Sequence, residues 1–179
     1  MNDSHFIAKA ISLALKGKFN TKPGVNVGCV IVKNNKIIGQ GFYEKYGGSH
    51  AEINAINQVK RKYKKSFLSK LAGSDIFVTL EPCSKKGKTG ACVNELKKYA
   101  FNRIIIGAKD PTQDGFKKLQ HAGYEVIDLD NHQCLQSKVI SSSDGTVAYH
   151  LSSENFNLLR EIQNDMQENY DLISSELRR

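Results

Sequence analysis

The stretch IFVTLEPCSKKGKTGACVNELKKYAFNRIIIGA, from Ile76 to Ala108, decides the fold. Its two ends, IFVTL and RIIIGA, are short apolar runs without polar alternation, which is typical of strands buried on both faces. Between them, CVNELKKYA predicts a helix. A strand, a helix and a second strand in this order predict a parallel pair of strands joined by a crossover.

The segments on either side extend this unit. Downstream, FKKLQHAG predicts a helix and YEVIDL a last strand. Upstream, HFIAKAISLALKGK has an apolar stripe at helical spacing, NVGCVIVKNNKIIGQGFY predicts a hairpin that turns at Asn34 and Asn35, and AEINAINQVKRK predicts another helix. The order α-β-β-α-β-α-β-α-β predicts a three-layer α/β/α sandwich with a mixed five-stranded sheet.

Length and composition favour one domain with an appendage. The chain has 179 residues, of which 40% are hydrophobic and 25% charged, and it has no apolar run as long as a transmembrane helix. We predict a first domain over residues 1–134 and a C-terminal tail over residues 135–179. The N-terminus does not resemble a secretory signal, so a cytoplasmic protein without membrane attachment is expected.

The formal net charge of +8 indicates an anionic partner without choosing one. Much of this charge lies in the run KRKYKKSFLSK, Lys60 to Lys70, which we interpret as a solvated helix end and loop. A phosphorylated metabolite and a nucleic acid both remain open on charge alone.

His50, Cys83 and Cys92 are candidate metal ligands. Each is predicted at the start of a helix or in the loop before one, so all three would meet at one edge of the sheet. Helix N-termini favour thiolates, and one nitrogen with two sulfur donors suits Zn²⁺. Three protein ligands leave a fourth position for water, which is typical of a catalytic site. Cys29 is interpreted as a core residue and Cys134 as incidental.

Glu52 is the candidate proton carrier of this site. It follows His50 by two residues, and a carboxylate that is not a ligand can take a proton from water and pass it to a leaving nitrogen. Residues two apart do not face the same way inside a helix. The role therefore requires His50 and Glu52 to lie in an irregular first turn, which the preceding Gly47-Gly48-Ser49 would permit.

The zinc loop TLEPCSKKGKTGAC resembles that of the deaminase domain of the bifunctional riboflavin-biosynthesis deaminase-reductases, the RibD family of the cytidine deaminase-like superfamily. The motifs VGCVIV, HAE, RIIIGAKDP and LQHAGYEV extend the resemblance from about His5 to Val126. It implies that His50, Cys83 and Cys92 bind zinc, that Glu52 moves the proton, and that the substrate is a diaminopyrimidinone ribosylamine phosphate. A homo-oligomer is also expected.

Several positions depart from the family pattern. Gly24 stands where the family has an asparagine that helps bind the pyrimidine, and Tyr43 where it has a histidine. We predict Asn26, Tyr43, Lys85 and Lys88 as substrate-binding residues, with Lys85, Lys86 and Lys88 as a phosphate clamp. Asp110 is interpreted as a cap of the helix that follows it.

Other functions stay open because of these departures. The enzyme could deaminate another amino-heterocycle or a base in a nucleic acid. A non-catalytic, zinc-stabilised remnant is a further alternative, suggested by the tail, where SKVISSSDGTVA resembles the truncated start of the family's reductase domain. Reduction is not expected, because about 40 residues cannot form a dinucleotide-binding domain.

Overall fold

A computed structural model describes residues 3–17, 20–129, 157–161 and 164. The elements follow in this order: α1 (Asp3–Ala14), β1 (Gly28–Lys33), β2 (Lys36–Phe42), α2 (Ala51–Tyr63), α3 (Phe67–Leu71), β3 (Asp75–Leu80), α4 (Cys92–Leu96), β4 (Arg103–Ala108), α5 (Gly115–His121) and β5 (Glu125–Asp128). Short 3₁₀ turns follow α1 and α2, at Leu15–Gly17 and Lys64–Ser66. The sequence did not predict α3; every other helix and strand confirms the predicted order.

The five strands form one mixed sheet in the order β2-β1-β3-β4-β5. β1 is antiparallel to both β2 and β3, whereas β3, β4 and β5 run parallel. The predicted hairpin turns at Asn34 and Asn35, whose φ angles of 50° and 58° are those of a two-residue turn with left-handed residues. The predicted mixed five-stranded sheet is confirmed.

Helices cover both faces of the sheet. On one face, α1 places Phe6, Ile7 and Ile11 against strand residues such as Phe77 and Ile105. On the other, α2, α4 and α5 pack against the alternate strand positions, including Cys29, Ile76 and Ile104. Because side chains alternate across a strand, each apolar run serves both cores, which makes the three layers.

The predicted boundary between residues 134 and 135 lies outside the described residues, as does Cys134. Within the tail, residues 157–161 and 164 are helical. Leu159 is 4% exposed and packs in the same apolar cluster as α1. A Cβ on Gly107 of β4 would lie 2.9 Å from Leu159 Cδ2, so the glycine admits this close approach. None of the helices in the described part of the chain has both the length and the apolar character that a membrane crossing requires.

Candidate active site

His50, Cys83 and Cys92 come together at the edge of the sheet where β3 ends. The Nδ1 atom of His50 lies 3.5 Å from Sγ of Cys83 and 3.3 Å from Sγ of Cys92. One ligand atom from each residue can be chosen so that all three lie within 4.8 Å of one another. His50 precedes α2, Cys83 follows β3 in the loop, and Cys92 is the first residue of α4. The predicted meeting of these three side chains is confirmed.

The two sulfur atoms share hydrogen bonds that favour a thiolate at Cys83. The backbone N–H of Cys92 donates to Cys83 Sγ over 3.2 Å. The Cys92 thiol also donates to this sulfur, and together with His50 it lowers the pKa of Cys83 to about 4. The same hydrogen bond, with burial, raises the pKa of Cys92, and the bond to Cys83 raises the pKa of His50. One negative charge is therefore already favoured where a cation would bind.

Glu52 is buried beside this group, with 3% of its surface exposed. Burial raises the pKa of its carboxyl above the ordinary value, because the charged form loses its hydration. His50 is the residue before the helix, and its extended backbone (φ −69°, ψ 163°) frees its side chain from the helical direction. The two side chains can therefore face one cavity although the helix itself begins regularly at Ala51.

A cavity of about 220 Å³ joins Glu52 to the metal-binding group. Its walls combine apolar side chains with a few polar ones; the lining residues are Gly24, Val25, Val27, Tyr43, His50, Glu52, Leu80, Glu81, Cys83, Asp110 and Gln113. Tyr43 stands edge-on to His50, with ring centroids 5.4 Å apart. Its hydroxyl accepts a hydrogen bond from the backbone N–H of Gly47, which lies in the segment just before His50.

The other predicted substrate-binding residues do not line this cavity. Asn26 is buried and its Oδ1 accepts a hydrogen bond from Thr21, while its neighbours Val25 and Val27 face the cavity. This arrangement follows the alternation of side chains along an extended chain. Lys85 donates to the carbonyl of Thr112 over 2.8 Å. Lys88 lies 4.1 Å above the ring centre of Tyr46.

Glu81 lines the cavity, a position that the sequence did not predict. It is buried, and its carboxylate accepts hydrogen bonds from the backbone N–H groups of Asp110 (3.2 Å) and Phe116 (2.8 Å). It therefore fixes the loop between β4 and α5 over the site. The sequence offered one indication that Glu81 lies near the site, namely its position immediately before Pro82 and Cys83.

The interpretation of Asp110 as a helix cap is wrong. Its carboxylate accepts from the backbone N–H and the hydroxyl of Thr112, at 2.8 and 2.6 Å, and so shapes a turn within the loop. Asp114 is the residue that precedes α5. Asp110 lies five residues before Gly115, the first residue of α5, so its carboxylate is used in a turn of the loop and not at the start of the helix.

Comparison with known proteins agrees with this fold and site. Residues 1–108 match the family model of the cytidine and deoxycytidylate deaminase zinc-binding region. The chain is 46% identical over 111 residues to the diaminohydroxyphosphoribosylamino-pyrimidine deaminase of Buchnera aphidicola from Acyrthosiphon pisum, covering 62% of this chain and 70% of that protein. It is 38% identical over 130 residues to the riboflavin biosynthesis protein RibD of Escherichia coli K12, covering 70% of this chain and 33% of that protein.

Solved structures give the same result. The deaminase-reductase of Thermotoga maritima superimposes with a TM-score of 0.64 at 36% identity, covering 70% of this chain and 36% of that one. A cyanophage dCMP deaminase, at 23% identity and a TM-score of 0.52, shares the fold. The chain therefore belongs to the cytidine deaminase-like zinc deaminases, and within them to the diaminohydroxyphosphoribosylaminopyrimidine deaminases. It spans about a third of the bifunctional relatives' length.

Proposed function

We propose that the chain is a zinc-dependent deaminase that removes the exocyclic amine of a diaminopyrimidinone ribosylamine phosphate in riboflavin biosynthesis. Water supplies the oxygen that replaces nitrogen on the ring carbon, and ammonia leaves. The relative in Buchnera, named for this deamination, supports the substrate. Because the bifunctional relatives are matched over only about a third of their length, no reductase activity is proposed.

The observation that carries the proposal is the buried Glu52 carboxyl in the cavity that His50 and Cys83 line, where Cys92 completes the group of possible metal ligands. A metal that only stabilises the fold does not require a buried carboxyl that is not a ligand. Burying that carboxyl costs free energy, which a catalytic role would explain. This argues for an enzyme over the non-catalytic alternative.

The donor set fits zinc. Bond lengths of ~2.3 Å to sulfur and ~2.05 Å to nitrogen, at a tetrahedral angle, imply a separation of about 3.6 Å between nitrogen and sulfur ligands. The distances from His50 Nδ1, 3.5 Å to Cys83 and 3.3 Å to Cys92, agree with this value. When bound, zinc would supply the Lewis acidity that makes water a nucleophile at neutral pH.

The protein's own groups perform the remaining work. Glu52 would accept a proton from the attacking water and return it to the departing nitrogen, and burial raises the pKa of its carboxyl in the direction that suits a proton carrier. Val25, Val27 and Leu80 line the cavity and would exclude bulk water from the reacting ring. Tyr43, packed on His50, would hold that ligand in place.

The test is a comparison of substrates with the zinc-loaded chain. Ammonia release should be fastest with the diaminopyrimidinone ribosylamine phosphate, slower with its dephosphorylated form, and negligible with dCMP or a short single-stranded nucleic acid. Faster deamination of dCMP or of the nucleic acid would contradict the proposed substrate and support the alternatives. The expected homo-oligomer and cytoplasmic location stay predictions.

A further inference from the structure

The carboxamide of Gln113 is held at its oxygen end. Its Oε1 accepts hydrogen bonds from the backbone N–H of Ser84 (2.9 Å) and the Ser84 hydroxyl (3.1 Å), and a longer one from the N–H of Lys85 (3.4 Å). Backbone N–H groups can be matched only by an acceptor. The network therefore assigns the oxygen to this side and the Nε2 amide to the other.

The nitrogen end is left with donor capacity. Its contact with Thr112 Oγ1 is 3.5 Å, at the limit of a hydrogen bond, and that hydroxyl itself donates to Asp110 over 2.6 Å. Within residues 20–129 this is the only hydrogen bond that Nε2 donates. An amide nitrogen carries two hydrogens, so at least one is not used by the described residues.

Gln113 lines the same cavity as Glu52, His50 and Tyr43. At about 220 Å³ the cavity is smaller than the ~300–1,000 Å³ of sites for drug-sized ligands, so a bound ring contacts most of its walls. Val25, Val27 and Leu80 are apolar, Glu52 and Glu81 are acidic, and the carboxylate of Glu81 already accepts from two backbone N–H groups. Gln113 thus adds an amide donor to a wall that also contains apolar and acidic side chains.

We propose that Gln113 is a substrate-contact residue whose Nε2 donates a hydrogen bond to a carbonyl oxygen or ring nitrogen of the bound amino-heterocycle. This inference rests on the proposed deaminase function and adds a residue that selects the substrate. Because Oε1 is bonded to Ser84, the residue after Cys83, one side chain connects recognition of the ring to the loop that carries a metal ligand.

Two variants separate this role from a structural one. Gln113→Glu keeps an oxygen for the N–H groups of Ser84 and Lys85 but removes the amide donor, whereas Gln113→Leu removes both. If Gln113 contacts the substrate, both variants should raise KM on the order of tenfold or more, with zinc content and Tm of Gln113→Glu close to those of the wild type. Wild-type kinetics in Gln113→Glu would overturn the inference.

The added negative charge is controlled separately. Gln120→Glu, on the exposed face of α5, adds the same charge away from the cavity and should leave KM unchanged. The defect of Gln113→Glu should persist with the dephosphorylated substrate and at raised salt, where repulsion between the new carboxylate and the substrate phosphate is removed or screened. A defect that vanishes under these conditions would be repulsion alone and would also overturn the inference.

Binding of the pyrimidinedione product distinguishes failure of this inference from failure of the proposed function. The product keeps its ring carbonyls and needs no turnover. If the wild type binds it without deaminating the substrate, the proposed function fails and a weaker Kd in Gln113→Glu still supports the contact. Equal Kd values in wild type and variant refute the contact, and absence of binding to the wild type refutes both.

Discussion

The ring of Tyr43 fills the space that a side chain at position 24 would occupy. A Cβ atom on Gly24 would lie 2.9 Å from Cε1 of Tyr43, and the Tyr43 ring is edge-on to the His50 ring with their centroids 5.4 Å apart. The two departures from the riboflavin deaminase pattern at these positions are therefore structurally coupled. A larger residue at 24 would meet the Tyr43 ring as well as the backbone carbonyl of Thr21, which is 2.8 Å away.

This coupling predicts a non-additive pair of substitutions. Gly24→Ala should destabilise the wild type, because the methyl group meets both Tyr43 and the carbonyl of Thr21. In a Tyr43→His background, Gly24→Ala should lower the free energy of unfolding by about 1 kcal/mol less than in the wild type. Interaction energies of this size are typical of residues in contact. Denaturant unfolding of the four proteins measures the difference. Gly90→Ala, where a Cβ would meet nothing within 4 Å, is the control and should cost the same in both backgrounds.

The three-residue metal group predicts that neither cysteine is dispensable. Cys83→Ser or Cys92→Ser should lower zinc content and activity together, because three ligands leave no spare donor and thiolates supply much of the affinity. Metal analysis of the purified variants measures this. Cys29→Ala, a buried cysteine outside the metal group, should retain zinc. Full zinc content in both serine variants would refute the ligand assignment.

Glu95 predicts a pH-dependent contribution to stability. It lies on α4, which begins at Cys92, and pairs with Lys60 of α2 over 3.2 Å, so it connects this helix to the one that directly follows His50. Burial alone would raise the pKa of Glu95, but hydrogen bonds from Lys98, Tyr99 and Lys60 lower it to about 2 from the ordinary 4.5.

A lowered folded-state pKa stabilises the protein above the unfolded-state value, and the contribution is lost as pH falls from about 4.5 toward 2. Glu95→Gln should therefore cost about 1–2 kcal/mol at pH 7, discounted for partial exposure, and much less near pH 2. Unfolding measured across this range is the test, with the exposed Glu125→Gln as control. A cost independent of pH would contradict the ion-pair explanation.

The lysines of the zinc loop predict a salt-dependent KM. Within this loop, Lys85 donates to the carbonyl of Thr112 and Lys88 lies over the ring of Tyr46. Replacing Lys85, Lys86 and Lys88 by Ala should raise KM for the phosphorylated substrate more than for its dephosphorylated form, and the difference should shrink as salt rises. The matched control replaces the exposed Lys62, Lys64 and Lys65. If that control weakens binding of a nucleic acid as much as the loop variant does, the hypothesis of a phosphorylated metabolite as substrate is contradicted.

The sequence predicted the layers and strand order because those depend on local patterns. The unalternated run at Ile104–Ile106 and the turn at Asn34 and Asn35 each carry their own signal. The metal group was also predictable, because the predicted strands and helices place His50, Cys83 and Cys92 at the same edge of the sheet. His50 and Cys92 lie where helices begin, and Cys83 lies in the loop after β3.

The walls of the cavity were less predictable, because they depend on contacts between distant segments. Gln113 reaches Ser84 across 29 residues and Glu81 reaches Phe116 across 35, and no local pattern marks either pair. The same holds for Asn26, whose type suggested a ligand contact although its Oδ1 bonds to Thr21. The type of a residue was enough to predict which chemistry it could perform. The direction of its side chain could be known only from the packed fold.

The central claim is that Glu52 moves the proton at a zinc site formed by His50, Cys83 and Cys92. The most direct measurement is ammonia release from the diaminopyrimidinone ribosylamine phosphate by Glu52→Gln and wild type, with zinc content determined on the same samples. We expect the variant to keep its zinc and its fold, because Glu52 is not among the ligands. We expect its kcat to fall by roughly two to four orders of magnitude, the usual contribution of a positioned acid-base group. Nearly normal turnover by the zinc-loaded variant would contradict this account.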